Sequence, residues 1–337
     1  MDLSNKNIAE LLKIYNDLGI NKQIDNEKFY LYSIITHSTA IEGSTITEIE
    51  NQLLFDENIS VNNKTIAEQL MNLDLKAAYE YGYKLAEKHE DYSEKILKKL
   101  ASIVMARTGS EYQTALGTFS SNNGDFRLLN VTAGFGGRSY LNYSKIKTKI
   151  EQFCKELNDK RYSINKNKVE DIYNLSFWAH YVLVNIHPWA DGNGRMSRLL
   201  MNMIQREFSV IPMKVLKEDK SKYVQALNDS YEKEDINIFI EAMNQMHANN
   251  LRNEISNYLK SVESESEIIG DKSAIKIKIG DKKQAILNFI KEKGSAKAIE
   301  VSEFIGLSPS RTRDYLKELV SDGHLKTSGA NKNRIYY

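Results

Sequence analysis

The chain has 337 residues, with 46 Lys and Arg against 45 Asp and Glu, a formal charge of +1. Such a balance excludes a global bias toward polyanions, and the single cysteine, Cys154, excludes a disulfide framework or a cysteine-based metal site. The length allows a full core and predicts two domains.

The N-terminus lacks the basic-then-apolar order of a signal peptide, and no apolar run approaches membrane-spanning length. A soluble, cytoplasmic protein without membrane contact is expected. Only three prolines (Pro188, Pro212, Pro309) and few strand-like alternations predict a mainly α fold.

In chain order, Ser4 to Leu18 reads as an amphipathic helix with Ile8, Leu11, Leu12 and Tyr15 on one side and Gly19 as its stop. A second helix runs from about Asn26 toward Ser38-Thr39-Ala40-Ile41-Glu42-Gly43. A carboxylate in the last turn before a glycine opposes the helix dipole, at a cost of roughly a few tenths of a kcal/mol. Glu42 is therefore either an exposed, tolerated glutamate or one with a cationic partner elsewhere. Lys64 to Lys88 and Glu94 to Ala106 carry the spacing of two more helices, and from Thr108 to Tyr140 six glycines break the chain up. Asn142 to Asn158 is again helical, with Cys154 beside Ile146, Ile150, Phe153 and Leu157, where a thiol reads as core and not as a nucleophile.

Ile172 to Ile186 is apolar on nearly every face and reads as a buried helix. Pro188 disfavours helix at His187, which places the imidazole at that helix's end. Asp191-Gly192-Asn193-Gly194 makes a tight turn, and a helix then starts with Met196, Leu199, Leu200, Met203 and Ile204 as its core stripe. Amides of a glycine-rich turn at a helix N-terminus bind anions, phosphate above all. Arg195 and Arg198, three apart, add paired donors for phosphate oxygens, and Asp191 offers a hard oxygen ligand suited to Mg²⁺. His187 has an ordinary pKa near working pH and can take a proton from a hydroxyl. These residue types together point to phosphoryl or nucleotidyl transfer.

The stretch His187 to Arg198 resembles the motif of the Fic family, HxFx(D/E)GNGRxxR, at every defined position but one. Trp189 stands where Phe is usual, and a buried aromatic anchor is expected there. The resemblance implies transfer of AMP from ATP to a protein hydroxyl. It assigns His187 as general base, Asp191 as Mg²⁺ ligand, Gly192, Asn193 and Gly194 as anion cradle, and Arg195 and Arg198 to the nucleotide phosphates. Ser38 to Gly43 is similar to the family's inhibitory pattern (S/T)xxxE(G/N), so Ser38, Glu42 and Gly43 would block ATP seating through a Glu42–Arg198 pair. Gly124-Asp125-Phe126-Arg127 resembles the element G-x-(F/Y)-R, after which Leu128 to Tyr140 would form a flap. Leu128, Leu129, Asn130, Val131 and Thr132 would align the target segment by strand addition. A mobile surface loop is the alternative for this stretch. The resemblance spans roughly Leu31 to Leu259.

After two more helices, Asp219 to Tyr231 and Ile236 to Leu259, the acidic run from Ser261 to Asp281 reads as a linker, with a short strand at Ile275 to Ile279. Lys283 to Lys293, Ala298 to Ile305 and Pro309 to Ser321, then a hairpin in Gly323 to Tyr337 around Ser328-Gly329-Ala330-Asn331, resemble a winged helix. Ser308 would cap its third helix, which bears Arg311, Arg313 and Lys317. Residues 281–337 hold 11 Lys and Arg against 7 Asp and Glu, a net of +4, which leaves contact with DNA or with protein open.

The expected architecture is therefore a Fic-type helical bundle with a β-hairpin flap, plus a small C-terminal α+β winged-helix domain. The expected divisions are 1–60 (inhibitory region), 61–260 (catalytic), 261–281 (linker) and 282–337 (winged helix). The expected activity is a protein adenylyltransferase acting on Tyr, Thr or Ser, itself included, with self-association left open. Two alternatives stand beside it: a deAMPylase in which Glu42 orients water, and a nucleotide-sensing DNA-binding regulator.

Overall fold

The computed structural model describes residues 1–133, 137–269, 281–305, 309–329 and 334–337. The chain divides into two units, Met1–Ser256 and Asn257–Tyr337.

The first unit is helical because its segments carry apolar stripes at helical spacing and strong N-terminal caps. Helix α1 (Ile8–Asp17) starts at a capping box between Asn7 and Glu10, buries Ile8, Leu11, Leu12 and Tyr15, and is followed by Gly19 in the left-handed region. Helix α2 (Asn26–Ile41) ends with Glu42 as its C-cap. Helix α3 (Glu48–Asp56), which the sequence pattern did not reveal, is set by a second capping box, Thr47 with Glu50. Helix α4 (Ile66–Glu87) has a third, Thr65 with Glu68, and Glu68 also accepts from the amide and hydroxyl of Thr45. Those backbone and hydroxyl donors pull its carboxyl down to about 2.

Helix α5 (Glu94–Val104) leads into an antiparallel pair, β1 (Glu111–Thr114) and β2 (Gly117–Ser120), inside the glycine-rich stretch. Helices α6 (Ile146–Ser163), α7 (Val169–Ile186), α8 (Asn193–Glu207) and α9 (Lys220–Glu232) follow, and α10 (Ile236–Ile269) begins in this unit and runs past its end at Ser256. Helix α8 packs against α7 and α4, with α5 on α4 and α6 on α7. Leu175, Leu183, Leu199, Met203, Leu75 and Leu100 are all buried in the shared core. Cys154 lies in that core too, and burial pushes its thiol up to about 12, so it is protonated packing. Helix α10 continues through Glu263-Ser264-Glu265-Ser266-Glu267 to Ile269, so the first part of the expected linker is helical. Ser and Glu tolerate helical backbone, so an acidic run need not end one. The strand expected at Ile275 to Ile279 lies outside the described residues.

A buried amide network fixes the end of α2. Asn72 Oδ1 on α4 accepts from Thr39 Oγ1 at 2.8 Å and from Asn51 Nδ2 on α3 at 2.9 Å, while Asn51 Nδ2 also reaches Thr36 Oγ1 at 2.7 Å. These buried polar contacts hold α2, and with it Ser38 and Glu42, in one register against α3 and α4, although Asn51 Oδ1 is itself left without a partner.

Two buried histidines give the unit an acid sensitivity. Burial pushes His180 and His247 down to about 3; His180 Nε2 meets Tyr223 Oη at 2.9 Å, and His247 packs on Tyr173 with neither ring nitrogen hydrogen-bonded. Below the unfolded value near 6.5 the unfolded chain takes up protons that the native state refuses. This stabilising preference is complete above about pH 6.5 and is lost as pH falls toward 3. The unfolding free energy from urea titration should therefore drop between pH 7 and pH 5, by roughly 1 kcal/mol per histidine per pH unit in the lower part of that range. His247→Phe should flatten that slope; an unchanged slope would show that His247 does not contribute.

In the second unit, α11 (Asp281–Lys293), β3 (Ala296–Lys297), α12 (Ala298–Ile305), α13 (Pro309–Ser321), β4 (Thr327–Ser328) and β5 (Ile335–Tyr336) follow in order. The antiparallel sheet runs β3-β5-β4. Ile286, Ile290, Val301, Leu316, Leu319 and Tyr336 are buried. Ser308, Ala330 and Asn331 and the side chain of Arg311 lie outside what is described. Among the described residues, no helix is long and apolar enough to cross a membrane.

Candidate functional site

The site is built where α7 ends and α8 begins. His187 is the C-cap of α7, held at φ 51, ψ 59 because Pro188 forbids another helical residue there. Its ring is half-buried, and burial pushes it down to about 4, with Arg127 and Arg138 acting the same way and the Val184 carbonyl and Asp191 opposing. The imidazole is neutral near pH 7 and able to accept a proton.

Trp189 is 1% exposed, as expected of an aromatic anchor, and its indole Nε1 donates to Gly124 O at 3.1 Å. That bond joins the turn to the upstream Gly-Asp-Phe-Arg element. Gly124 sits at φ +71, and a Cβ there would stand 2.0 Å from the carbonyl oxygen of Lys98. Gly124→Ala should therefore cost more than about 2 kcal/mol, measurable by chemical denaturation, because backbone must move to admit the methyl.

Arg127 is fully buried and clamps the neighbourhood through carbonyls. Nε donates to His187 O at 2.8 Å, Nη1 to Leu129 O at 2.6 Å and Nη2 to Leu141 O, while its amide donates to Pro188 O at 3.0 Å. Leu129 and Leu141 bracket a hairpin in which Ala133 N donates to Arg138 O, Tyr140 N donates to Val131 O, and Thr132 opposes Ser139. Leu128 and Leu129 lead into it, and Asn130 Oδ1 accepts from Tyr143 N at 3.1 Å. Gly134 and Gly136 lie outside the described residues.

In the turn, the Asn193 amide side chain closes the loop on Trp189, accepting from Trp189 N at 3.1 Å and donating to Trp189 O at 2.9 Å, which leaves its backbone N–H for the expected cradle. Gly192 caps α8, and Asp191 is the exposed carboxylate of the turn, its side chain 59% accessible. Among the described residues there is no group of three or more metal-ligating side chains. A Mg²⁺ ion that takes most of its ligands from phosphates and water fits a single carboxylate such as Asp191.

Arg195 is 4% exposed, and its Nε and Nη1 are buried with no hydrogen-bond partner. Its Nη2 reaches Met105 Sδ at 3.2 Å and Asp191 Oδ1 at 3.4 Å. A buried guanidinium with idle donors costs free energy unless an anion completes it, so this side chain fits a phosphate.

Arg198 is engaged instead by α2. Nε donates to Ser38 Oγ at 2.8 Å, and Nη2 donates to Ser38 O at 2.9 Å and to Glu42 Oε1 at 2.6 Å. Burial pushes the Glu42 carboxyl up, but the Arg198 charge and hydrogen bond outweigh it and hold Glu42 below the usual carboxylate range. The Glu42 carboxylate rests on the first turn of α8: a Cβ on Gly194 would stand 2.6 Å from Glu42 Oε1. Gly43 follows at φ +105, letting the chain turn away after Glu42. Ser38, Glu42 and Arg198 thus meet, as do His187, Asp191 and Arg195 at the adjoining turn. Arg138, Tyr140 and Asn185 went unnoticed in the sequence; the alternation that places Arg138 and Tyr140 on one face of a strand was the available signal.

Residues 91–205 match the model of the Fic/DOC family, and residues 280–326 match that of a winged helix-turn-helix DNA-binding domain. The chain is 31% identical over 218 residues to the protein adenylyltransferase Fic of Drosophila willistoni, and 28% identical over 216 residues to that of Drosophila melanogaster. These matches take in 64% and 63% of this chain but only 39% of each relative. A Fic domain-containing signalling protein from Bacteroides thetaiotaomicron aligns with a TM-score of 0.61 at 19% identity, over 74% of this chain and 96% of that one. A Fic family protein from Desulfovibrio desulfuricans aligns at 0.60 and 18% identity, over 98% of this chain and 93% of that one. The chain is similar to these proteins, and the last two likenesses bear on fold alone.

Proposed function

We propose, from the premise that the chain carries a Fic/DOC family domain, that it transfers AMP from ATP to a hydroxyl of a protein and that Glu42 restrains this activity. The observation that carries the reading is the buried Arg195 guanidinium with two idle donors, beside a neutral imidazole and a helix N-terminus. His187 accepts the proton of the attacking Tyr, Thr or Ser hydroxyl. The hydroxyl oxygen bonds to the α-phosphorus of ATP, the bond to the bridging oxygen breaks, and pyrophosphate leaves. Amides of Gly192, Asn193 and Gly194, with Arg195, hold the phosphates, and Arg198 joins them once Glu42 withdraws. Mg²⁺, held by Asp191 and the phosphates, would offset the charge gathering on the leaving group. Leu128 to Thr132 and the hairpin they enter would align the target segment by strand addition.

Intact-protein mass spectrometry after incubation with ATP and Mg²⁺ tests this. Glu42→Gly should gain AMP, on itself or on an added protein, and Glu42→Gly with His187→Ala should not. Equal gain in both would overturn the role of His187. For residues 281–337 we propose contact with DNA; absence of any salt-sensitive shift with duplex DNA would redirect the reading to a protein partner.

A further inference from the structure

A histidine that accepts protons is ordinarily oriented by a carboxylate or carbonyl on its second ring nitrogen. His187 has only the Val184 carbonyl beside its second ring nitrogen, and that contact falls short of good hydrogen-bond geometry. Its ring is covered by Tyr140, with centroids 3.9 Å apart and planes 19° apart. Rotation of the imidazole out of that plane would drive it into the tyrosine ring.

Tyr140 is itself braced. Arg138, two residues earlier on the same face of the hairpin strand, places its guanidinium carbon 5.2 Å from the Tyr140 ring centre and 3.7 Å from that of Tyr231 on α9. Arg138 Nη2 donates to Asn185 Oδ1 at 2.6 Å, on the last turn of α7 and two residues before His187. Strand residues 138 and 140 thus grip residues 185 and 187 in parallel, and Tyr231 backs the arginine.

We propose that Tyr140 and Arg138 are positioning residues for the His187 base: they set its ring plane by stacking, so the hairpin that would align the target also orients the base. This rests on the transferase reading above. The charged groups facing His187 are Arg127 and Arg138 from the hairpin side and Asp191 from the turn. Removing Tyr140 opens the ring to water and to rotation without touching the phosphate donors Arg195 and Arg198.

The test is made on the full chain in the Glu42→Gly background, with Tyr140→Leu, Tyr140→Phe and Arg138→Met. Tyr140→Leu should lower kcat roughly 10- to 100-fold with the KM for ATP little changed, since a base displaced by about 1 Å loses rate and not nucleotide affinity. Tyr140→Phe keeps the stack and should keep the rate, and Arg138→Met should fall between. Independently of activity, imidazole ¹H–¹⁵N spectra should show His187 titrating near 4 in the parent. In Tyr140→Leu its titration should move toward the ordinary histidine range. If no variant transfers AMP but the titration moves in Tyr140→Leu and not in Tyr140→Phe, the stack stands and the transferase reading fails. If Tyr140→Leu leaves both kcat and the titration of His187 at parental values, or leaves the titration unmoved in an inactive set, the positioning role is overturned.

Discussion

Replacing His187 by alanine in a Glu42→Gly protein should lower AMP transfer by roughly 10²- to 10⁴-fold, the span expected when a positioned general base is removed. The reason lies in the state of the ring. Burial and the charges of Arg127 and Arg138 hold it near 4, so at pH 7 almost every molecule has a neutral imidazole ready to accept a proton. The alanine variant retains Arg195, Asp191 and the α8 N-terminus, so ATP should bind it as tightly as the parent, measurable by calorimetry. Loss of rate with retained binding identifies a group that acts in the transition state. Lost binding would instead show that His187 supports the phosphate site. The parental rate should stay flat from pH 8 to 6 and decline only as pH approaches 4, where the base becomes protonated. A decline centred near 6.5 would mean that the ring is more open to water than the structure shows.

Glu42→Gly should raise ATP affinity and AMP transfer by about tenfold over the wild type, equivalent to about 1.4 kcal/mol of differential binding. Glu42 Oε1 sits 2.6 Å from Arg198 Nη2 and against Gly194, where the amides and dipole of α8 favour an anion. A carboxylate in that place competes with phosphate by charge and by occupation. The side chain remains 35% accessible, so solvent partly screens the pair. Glu42→Gln separates the two causes: it keeps the volume and removes the charge, and should release activity only partly. Equal ATP affinity in wild type and Glu42→Gly, by calorimetry, would show that the pair is structural and not inhibitory.

Much of the helical unit was legible because its signals are local. Ile8, Leu11, Leu12 and Tyr15 mark the buried face of α1, and Met196, Leu199, Leu200, Met203 and Ile204 that of α8, at spacings that periodicity alone reveals. Helix α3 escaped because its nine residues bury only Asn51 and Leu54, too few to make a stripe. The continuation of α10 to Ile269 escaped because an acidic serine-rich run has no apolar face to read.

At the site, the residue types from His187 to Arg198 stand within twelve consecutive positions, so their chemistry was open to the sequence itself. The turn, the helix start and the end of α7 follow from Pro188, the glycines and the apolar stripe that comes after. Tertiary structure decided which of those side chains are free. Arg195 keeps idle donors, and Arg198 is taken by Ser38 and Glu42, 160 and 156 positions away. It also laid the Tyr140 ring over His187. Local propensity and spacing are carried by neighbours along the chain, whereas these contacts exist only once α2, the hairpin and α8 pack together, and a side chain's availability depends on that packing.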